Sequence, residues 1–332
     1  MVQREFIIED TQVKTKKFID VYHSLKGEKM DKNRICIIRA KLKDDYCFDG
    51  IKKMGFKIII PYKDYNLFLR CLRETWFRLK FPCRWIWYNT AINYINADVI
   101  ILYDPLITPH FIDRIRKLYP NARIIVSYDN RVDRTISPIS IVNPTIEKWS
   151  YDEGDCKRYS MHKKRSAYLD IYCLAEKEDP KFDMVYLGRD KGRAKELFAL
   201  QNNFERMGLK TYFHICADRQ YLRFKKGYYK PLMRYQEYLR LIAKSKSILN
   251  IMPEGQTSLT MRDFEVIFNG IKGVTNNKGI KNVEFYHPSR FFVLGEDPIE
   301  ELPKFLRLPF LPVDDDILNK YRFDNVIQDM IC

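Results

Sequence analysis

Short, uninterrupted apolar runs constrain this chain more than any other feature. RICIIRA (Arg34–Ala40), FKIIIP (Phe56–Pro61), ADVIILYD (Ala97–Asp104) and ARIIVSYD (Ala122–Asp129) are rich in Ile and Val. Between them lie a short helical stretch through Ile51–Met54, closed by Gly55, and the helical segment HFIDRIRKLYP (His110–Pro120). A strand that is apolar at every position has both faces buried. Such strands alternating with helices predict a parallel sheet covered on both sides. The pattern restarts after Pro180 with the strands FDMVYLG (Phe182–Gly188), LKTYFHIC (Leu209–Cys216), SILNIM (Ser247–Met252) and GVTNN (Gly273–Asn277). The helices between them are RAKELFALQNNFERMG, with Leu197, Leu200 and Phe204 near helical spacing, and YQEYLRLIAKS (Tyr235–Ser245). The expected fold class is α/β, with two Rossmann-like βαβ domains. The expected boundaries are a helical extension over 1–30, a first domain over 31–170, a second over 171–310, and a C-terminal helix within 311–332 that packs back on the first domain.

The 332 residues suffice for two domains, and 46% hydrophobic with 30% charged residues describes a folded chain rather than a disordered one. No apolar run approaches the ~20 residues of a membrane span. The N-terminal sequence MVQREFIIEDTQVKTKK lacks the apolar stretch of a secretion signal, so a cytoplasmic location is expected. The eight cysteines show neither C-x-x-C pairs nor metal-ligand spacing, and reduced thiols are expected. The five histidines are dispersed, and no metal triad is visible. The formal net charge of +15 attracts nucleic acid, anionic lipid and phosphorylated substrates alike, and chooses none of them.

In open α/β sheets ligands bind beyond the carboxyl ends of the strands, so the residues just after each strand are the site candidates. GRDKGR (Gly188–Arg193) follows a strand and opens a helix. Its glycines let the backbone approach a ligand, and Arg189, Lys191 and Arg193 add three cations beside a helix start that favours anions. A diphosphate suits this loop; a solvated basic turn is the plainer alternative. NIMPEGQTSLTMRDFEVIFNG (Asn250–Gly270) has the same strand–loop–helix form. Thr260 and Asp263 fit the S/T-x-x-D cap, which starts a helix near Met261, and Phe264, Ile267, Phe268 and Ile271 form its apolar face. Glu265, one residue off that stripe, either accepts hydrogen bonds from the vicinal hydroxyls of a ribose or faces water. Gln256, Thr257 and Ser258 are loop positions able to meet sugar hydroxyls or phosphate.

A cationic glycine loop followed in the same domain by a carboxylate-bearing helix resembles the donor domain of GT-B glycosyltransferases. YLGRDKGR is similar to the diphosphate loop of that fold, and TSLTMRDFEVIFNGIKGVTNN to the segment that holds sugar and ribose. Gln256, Leu259, Thr260, Met261, Arg262 and Glu265 match a signature of bacterial glycosyltransferases of capsule, lipopolysaccharide and exopolysaccharide synthesis. WYN (Trp87–Asn89), WSYDEGDCKRY (Trp149–Tyr159) and YRFDNVIQDMI (Tyr321–Ile331) extend the likeness over most of the chain beyond its first 30 residues. The resemblance implies two domains facing a central cleft and a nucleotide-sugar as co-substrate, with no separate cofactor or metal. It further implies a saccharide or lipid-linked acceptor. Gly188, Arg189, Lys191, Arg193, Gln256, Thr257, Ser258, Leu259, Thr260, Arg262 and Glu265 would form the donor site. Thr257 stands where the first Glu of the family's E-x7-E falls, and Ser258 where the bacterial group has glycine, so the stereochemical course stays open.

An inverting transfer requires a base, and Asp104 and Asp129 at strand ends are the candidates; Asp is also an ordinary cap or turn former there. In LFLRCLRETWFRLKFPCRWIWYN (Leu67–Asn89), Leu69, Leu72, Trp76 and Leu79 share one helical stripe. Arg70, Arg73, Arg78, Lys80 and Arg84 surround it. The pattern fits a helix lying on an anionic membrane at the inner face, with Arg70, Arg73, Trp76 and Arg78 in contact; a helix packing its stripe on the sheet is the alternative. Two rival functions remain. One is a nucleic-acid-binding protein, suggested by charge and 14% aromatic residues, although no nucleic acid is the expected partner. The other is an inactive GT-B-like subunit.

Overall fold

The computed structural model describes residues 30–41, 45–104, 107–174, 176–218, 227–252 and 258–332. The expected N-terminal extension, apart from Met30, lies outside them, as do Gln256 and Thr257. The chain divides into two compact units. Among the described residues unit 1 holds 30–41, 51–165 and 324–332, and unit 2 holds 45–50 and 166–323.

Unit 1 contains β1 (Ile35–Ile38), α1 (Tyr46–Lys53, divided between the units after Gly50), β2 (Lys57–Ile59), α2 (Leu67–Arg78) and β3 (Val99–Tyr103). It continues with α3 (Pro109–Leu118), β4 (Arg123–Tyr128), β5 (Ile146–Ser150), α4 (Glu153–Tyr159) and β6 (His162–Lys163). The sheet order is β2-β1-β3-β4-β5-β6, and every pairing is parallel. β1 and β3 are buried at every position. Side chains of alternate residues, Cys36, Ile38, Ile100, Leu102, Ile124 and Val126, form one face of the core, against Phe111, Ile112 and Ile115 of α3.

Unit 2 contains β7 (Met184–Arg189), α5 (Ala194–Arg206), β8 (Thr211–Cys216), α6 (Tyr235–Ala243), β9 (Ser247–Asn250), α7 (Met261–Asn269), β10 (Lys272–Thr275) and β11 (Phe291–Val293). The helices α8 (Leu302–Arg307), α9 (Asp315–Asn319) and α10 (Phe323–Ile331) follow; all of α10 but Phe323 belongs to unit 1. Its sheet is also parallel, in the order β11-β10-β9-β7-β8. Met184, Tyr186 and Leu249 join one core with Leu197 and Phe204 of α5, while Val185 and Ile248 join the opposite core with Tyr238 and Ile242 of α6. Both faces are therefore covered by helices, as expected of Rossmann-like α/β units. Gly273 allows β10 to lie close to its neighbour, since a Cβ there would come within 2.7 Å of the Phe291 ring.

The strands β5 and β6, with α4 between them, extend the first sheet beyond the four strands legible in the sequence. β5 is IEKWS, buried only at its two ends. A mixed segment of this kind carries no all-apolar signature.

Candidate functional site

Counted within each unit, the first sheet has the doubly wound order 2-1-3-4-5-6 and the second 2-1-3-4-5, so each has a topological switch point between its first and third strands. In unit 2 that point lies between β7 and β9. A cavity of about 350 Å³ opens there, lined by Leu187 from the end of β7 and by Asn250, Ile251 and Met252 from the end of β9. Lys191 and Arg193 come from the following loop, Tyr235 and Tyr238 from α6, and Thr260, Met261, Arg262 and Glu265 from the start of α7. Of the sequence candidates, Gly188, Arg189, Ser258 and Leu259 are outside this lining.

Local chemistry fixes the cations. Arg262 donates to the Leu187 carbonyl and lies over the Tyr186 ring at 5.5 Å. Arg193 donates to the Ile251 carbonyl and, at 3.3 Å, to the Asp190 carbonyl. Arg189 points to the Asp218 carbonyl at 2.6 Å. Among the described residues none of these three arginines forms an ion pair with a carboxylate. Their guanidinium groups are oriented by neutral carbonyls, and the charge of Arg262 also acts on the buried carboxyl groups of Asp263 and Glu265. The loop between them turns through Lys191 and Gly192, both at positive φ, +49° and +80°.

The helix ends contribute less than their positions suggest. The Asp190 carboxylate accepts the Ala194 N–H at 2.6 Å, filling the N-terminus of α5, and it also takes the Tyr229 hydroxyl. Asp263 accepts the Thr260 N–H at 2.7 Å in the capping arrangement that starts α7 at Met261. The start of α5 is thus capped by a carboxylate of the protein itself, and the Asp263 carboxylate takes the N-cap N–H of α7.

Glu265 is buried, not solvated. Its two oxygens accept the hydroxyls of Tyr235 and Tyr238, each at 2.5 Å. Burial raises its pKa above the ordinary glutamate value, and the two tyrosine hydrogen bonds oppose that shift. Asn250 completes the floor. Its amide N–H groups donate to Thr260 Oγ1 at 2.9 Å and Asp263 Oδ1 at 3.0 Å, which orients the side chain. Its carbonyl Oδ1 is a buried acceptor with no partner among the described residues. Tyr235, Tyr238 and Asn250 escaped the sequence reading. The tyrosines lie in a segment read only as a helix, and Asn250 in one read only as a strand.

In unit 1 the switch point lies between β1 and β3, and Asp104 directly follows β3. Asp104 is buried and accepts the Asp129 N–H and the Asn130 side-chain amide, each at 3.1 Å. Burial first, and the neighbouring charge of Asp129 second, raise its pKa from 3.8 to about 6. The Asp129 carboxylate is half exposed and pairs with the buried ammonium of Lys164. No cluster of three or more His, Cys, Asp or Glu side chains suited to a metal occurs among the described residues. All eight cysteines are free thiols.

The proposed membrane helix is turned differently from expectation. Arg73 is buried, 4.5 Å from the Tyr62 ring centre and paired with Glu74 at 2.7 Å. It cannot face a membrane from there. Trp76 is half-buried, donates its indole N–H to the Pro82 carbonyl at 2.8 Å and packs edge-on against Phe81 and Trp87. Arg70 pairs with Asp64 at 2.7 Å, and Arg78 is exposed. The stripe of Leu69, Leu72, Trp76 and Leu79 is not the buried face either, because Leu72 and Leu79 are exposed. The inward face is set by Arg73 and Phe77, through aromatic contacts with Tyr62 and Tyr88. No helix among the described residues is long and apolar enough to cross a membrane.

Neither a known protein family nor a curated protein matches this sequence. Among solved structures, a putative UDP-N-acetylglucosamine 2-epimerase from Listeria monocytogenes is similar over 91% of this chain and 95% of its own, at 9% identity and a TM-score of 0.45. A LacI transcriptional regulator from a Rhodococcus species is similar over 75% of this chain and 80% of its own, at 8% identity and a TM-score of 0.19. At these scores neither likeness bears on what this chain does; the α/β fold rests on its own strand order and register.

Proposed function

We propose that the protein is a glycosyltransferase that binds a nucleotide-sugar in the unit 2 cavity and transfers the sugar to a saccharide acceptor, free or lipid-linked, in cell-surface polysaccharide synthesis. One observation carries this reading. At the switch point between β7 and β9, Arg193 and Arg262 border the cavity with guanidinium groups held by backbone carbonyls and with no carboxylate at ion-pair distance among the described residues. Two such cations suit a diphosphate, and they balance the charge that grows on it as the sugar departs. Ser258 and Leu259, like Gln256 and Thr257, keep the role that the resemblance implies beside the sugar. The unpartnered Asn250 Oδ1 suits a ligand hydroxyl. Glu265 acts in part through the two tyrosines that its carboxylate fixes.

An inverting transfer needs a base, and Asp129 is the more exposed carboxylate of the unit 1 pair; Asp104 braces its loop through the Asp129 N–H. A retaining transfer needs no such base.

Titration calorimetry with uridine and guanosine diphosphates and their sugar esters tests the donor site. Binding of one series is expected. Arg262→Ala and Arg193→Ala should each weaken it roughly 10- to 100-fold, the size of one lost charge-assisted hydrogen bond. Wild-type affinity in both folded variants, or no binding by any nucleoside diphosphate, removes the reading. Sugar transfer to a saccharide, followed by mass spectrometry, separates a working enzyme from a subunit that only holds the donor.

A further inference from the structure

Large apolar side chains stand out from α2 into solvent beside the exposed Arg70, Glu74 and Arg78, while Leu69, Arg73, Trp76 and Phe77 are the more buried positions. Leu67, Phe68, Leu72 and Leu79, with Phe81 and Trp85 just beyond, are each between 40% and 78% exposed. Arg73 occupies the inward side, over Tyr62. Single exposed leucines are common on any protein, but a cluster of large apolar side chains along one helix and its exit marks an interaction surface.

The charges bordering this cluster are not balanced. Arg70 is matched by Asp64 and Arg73 by Glu74. Arg78, Lys80 and Arg84 have no carboxylate within ion-pair distance among the described residues. Arg84 donates to the Phe81 carbonyl at 3.3 Å and lies over the Phe77 ring at 5.9 Å, so its charge stays beside the exposed aromatics. Trp76 props Phe81 from behind, with ring centres 5.3 Å apart.

We infer that this face of unit 1 docks on an anionic lipid surface, with Leu67, Phe68, Leu72 and Leu79 entering the headgroup boundary and Arg78, Lys80 and Arg84 meeting the phosphates. The side chains stand out from one helix and the turn after it. That arrangement suits a deformable lipid surface, into which exposed leucines and aromatics sink to shallow depth while cations stay at the headgroups. The three unmatched cations favour an anionic surface over a neutral one. The inference stands apart from the donor site, whose lining residues all belong to unit 2.

Flotation of the full-length chain with phosphatidylcholine vesicles, with and without phosphatidylglycerol, tests it. Recovery is expected with the anionic vesicles alone, and should fall as salt is raised. Leu67→Ser combined with Phe68→Ser should abolish recovery. Arg78→Ala combined with Lys80→Asn should weaken partitioning roughly 25-fold, about fivefold per cation. Asn is chosen because Lys80 lies at a positive φ of 56°. All four side chains face solvent, so the circular-dichroism melts should match wild type. Equal recovery with neutral vesicles, no recovery at all, or wild-type partitioning by either folded double variant overturns the inference. So does a chain that ignores vesicles but sediments as a dimer split by the Leu67 and Phe68 changes, because the occupant is then a second copy.

Discussion

Two buried carboxyl groups, Asp104 and Glu265, show how far environment rather than residue type sets their chemistry. Both have pKa values raised first by burial. Glu265 answers with two short tyrosine hydrogen bonds, which hold the carboxylate and commit one lone pair of each oxygen before any ligand arrives. Asp104 has the Asp129 N–H and the Asn130 amide, but it also feels the charge of Asp129, and its pKa reaches about 6. A folded-state pKa above the unfolded one means that the native state binds the proton more tightly. The contribution of Asp104 to stability is therefore fully present below pH 3.8 and is lost as pH rises through about 6. That rise in pKa corresponds to about 3 kcal/mol between those limits. Asp104→Asn removes the charge while keeping an acceptor for the Asp129 N–H. In denaturant unfolding the variant should gain on wild type as pH rises from 4 to 7. A difference between variant and wild type that is the same at both ends of that range would show that burial does not govern Asp104.

Elements were legible where one property runs through every residue. β1, β3 and β4 could be read as strands because their runs of Ile and Val are buried on both faces, and α7 because Thr260 and Asp263 cap it. β5 was missed because the partners of its charged residues come from other elements: Glu147 meets Arg123 from β4, and Lys148 reaches the Pro138 and Ile141 carbonyls. The orientation of α2 was missed for a similar reason. An arginine at position 73 reads as a solvent residue until the Tyr62 ring is brought under it. In the site, the cationic loop was legible, but the Tyr235 and Tyr238 bonds to Glu265 span 30 and 27 residues and exist only once α6 and α7 are packed. One element-scale feature combines both kinds of information. Gly188 sits where β7 passes Arg262, and a Cβ there would come within 2.7 Å of Tyr186 Oη and 3.0 Å of Arg262 Nη2. Gly188→Ala must therefore displace the Tyr186 hydroxyl and crowd the Arg262 guanidinium where it meets the Leu187 carbonyl. The variant should fold, since Tyr186 and Arg262 can shift, yet bind nucleoside diphosphate at least about 10-fold more weakly. Wild-type affinity in calorimetry would mean that the position of Arg262 is not what the ligand reads.

At the scale of the whole molecule, the two units share one strand order over their first five strands, but the chain does not divide cleanly between them. Residues 324–332 belong to unit 1, although all the chain from 166 to 323 belongs to unit 2. Arg123 ties that tail down. Its guanidinium meets Glu147 at 2.6 Å and donates to the Met330 and Ile331 carbonyls at 2.9 and 2.7 Å. A cation at the last carbonyls of α10 satisfies acceptors that a helix end leaves open, and it complements the helix dipole. Arg165 pairs with Asp329 at 2.5 Å, and the Met30 N–H donates to the Gln328 side chain at 3.2 Å. Val326, Ile327 and Met330 are buried. At about 1.5–3 kcal/mol for each large apolar side chain buried, these three contribute a large part of the ~5–15 kcal/mol that holds a typical domain together. A chain ending at Phe323 should therefore lose unit 1 and keep unit 2. Hydrogen exchange should become fast across β1, β3 and β4 while β7, β9 and β10 stay protected, and nucleoside-diphosphate affinity should stay within about threefold of wild type. Arg123→Ala should produce a milder loss confined to unit 1, because it removes the anchor and leaves the three side chains to pack. Fast exchange in both sheets of the truncated chain would show that the units do not hold their stability separately. Unchanged protection in β1 and β3 would show that the tail is not part of what holds unit 1.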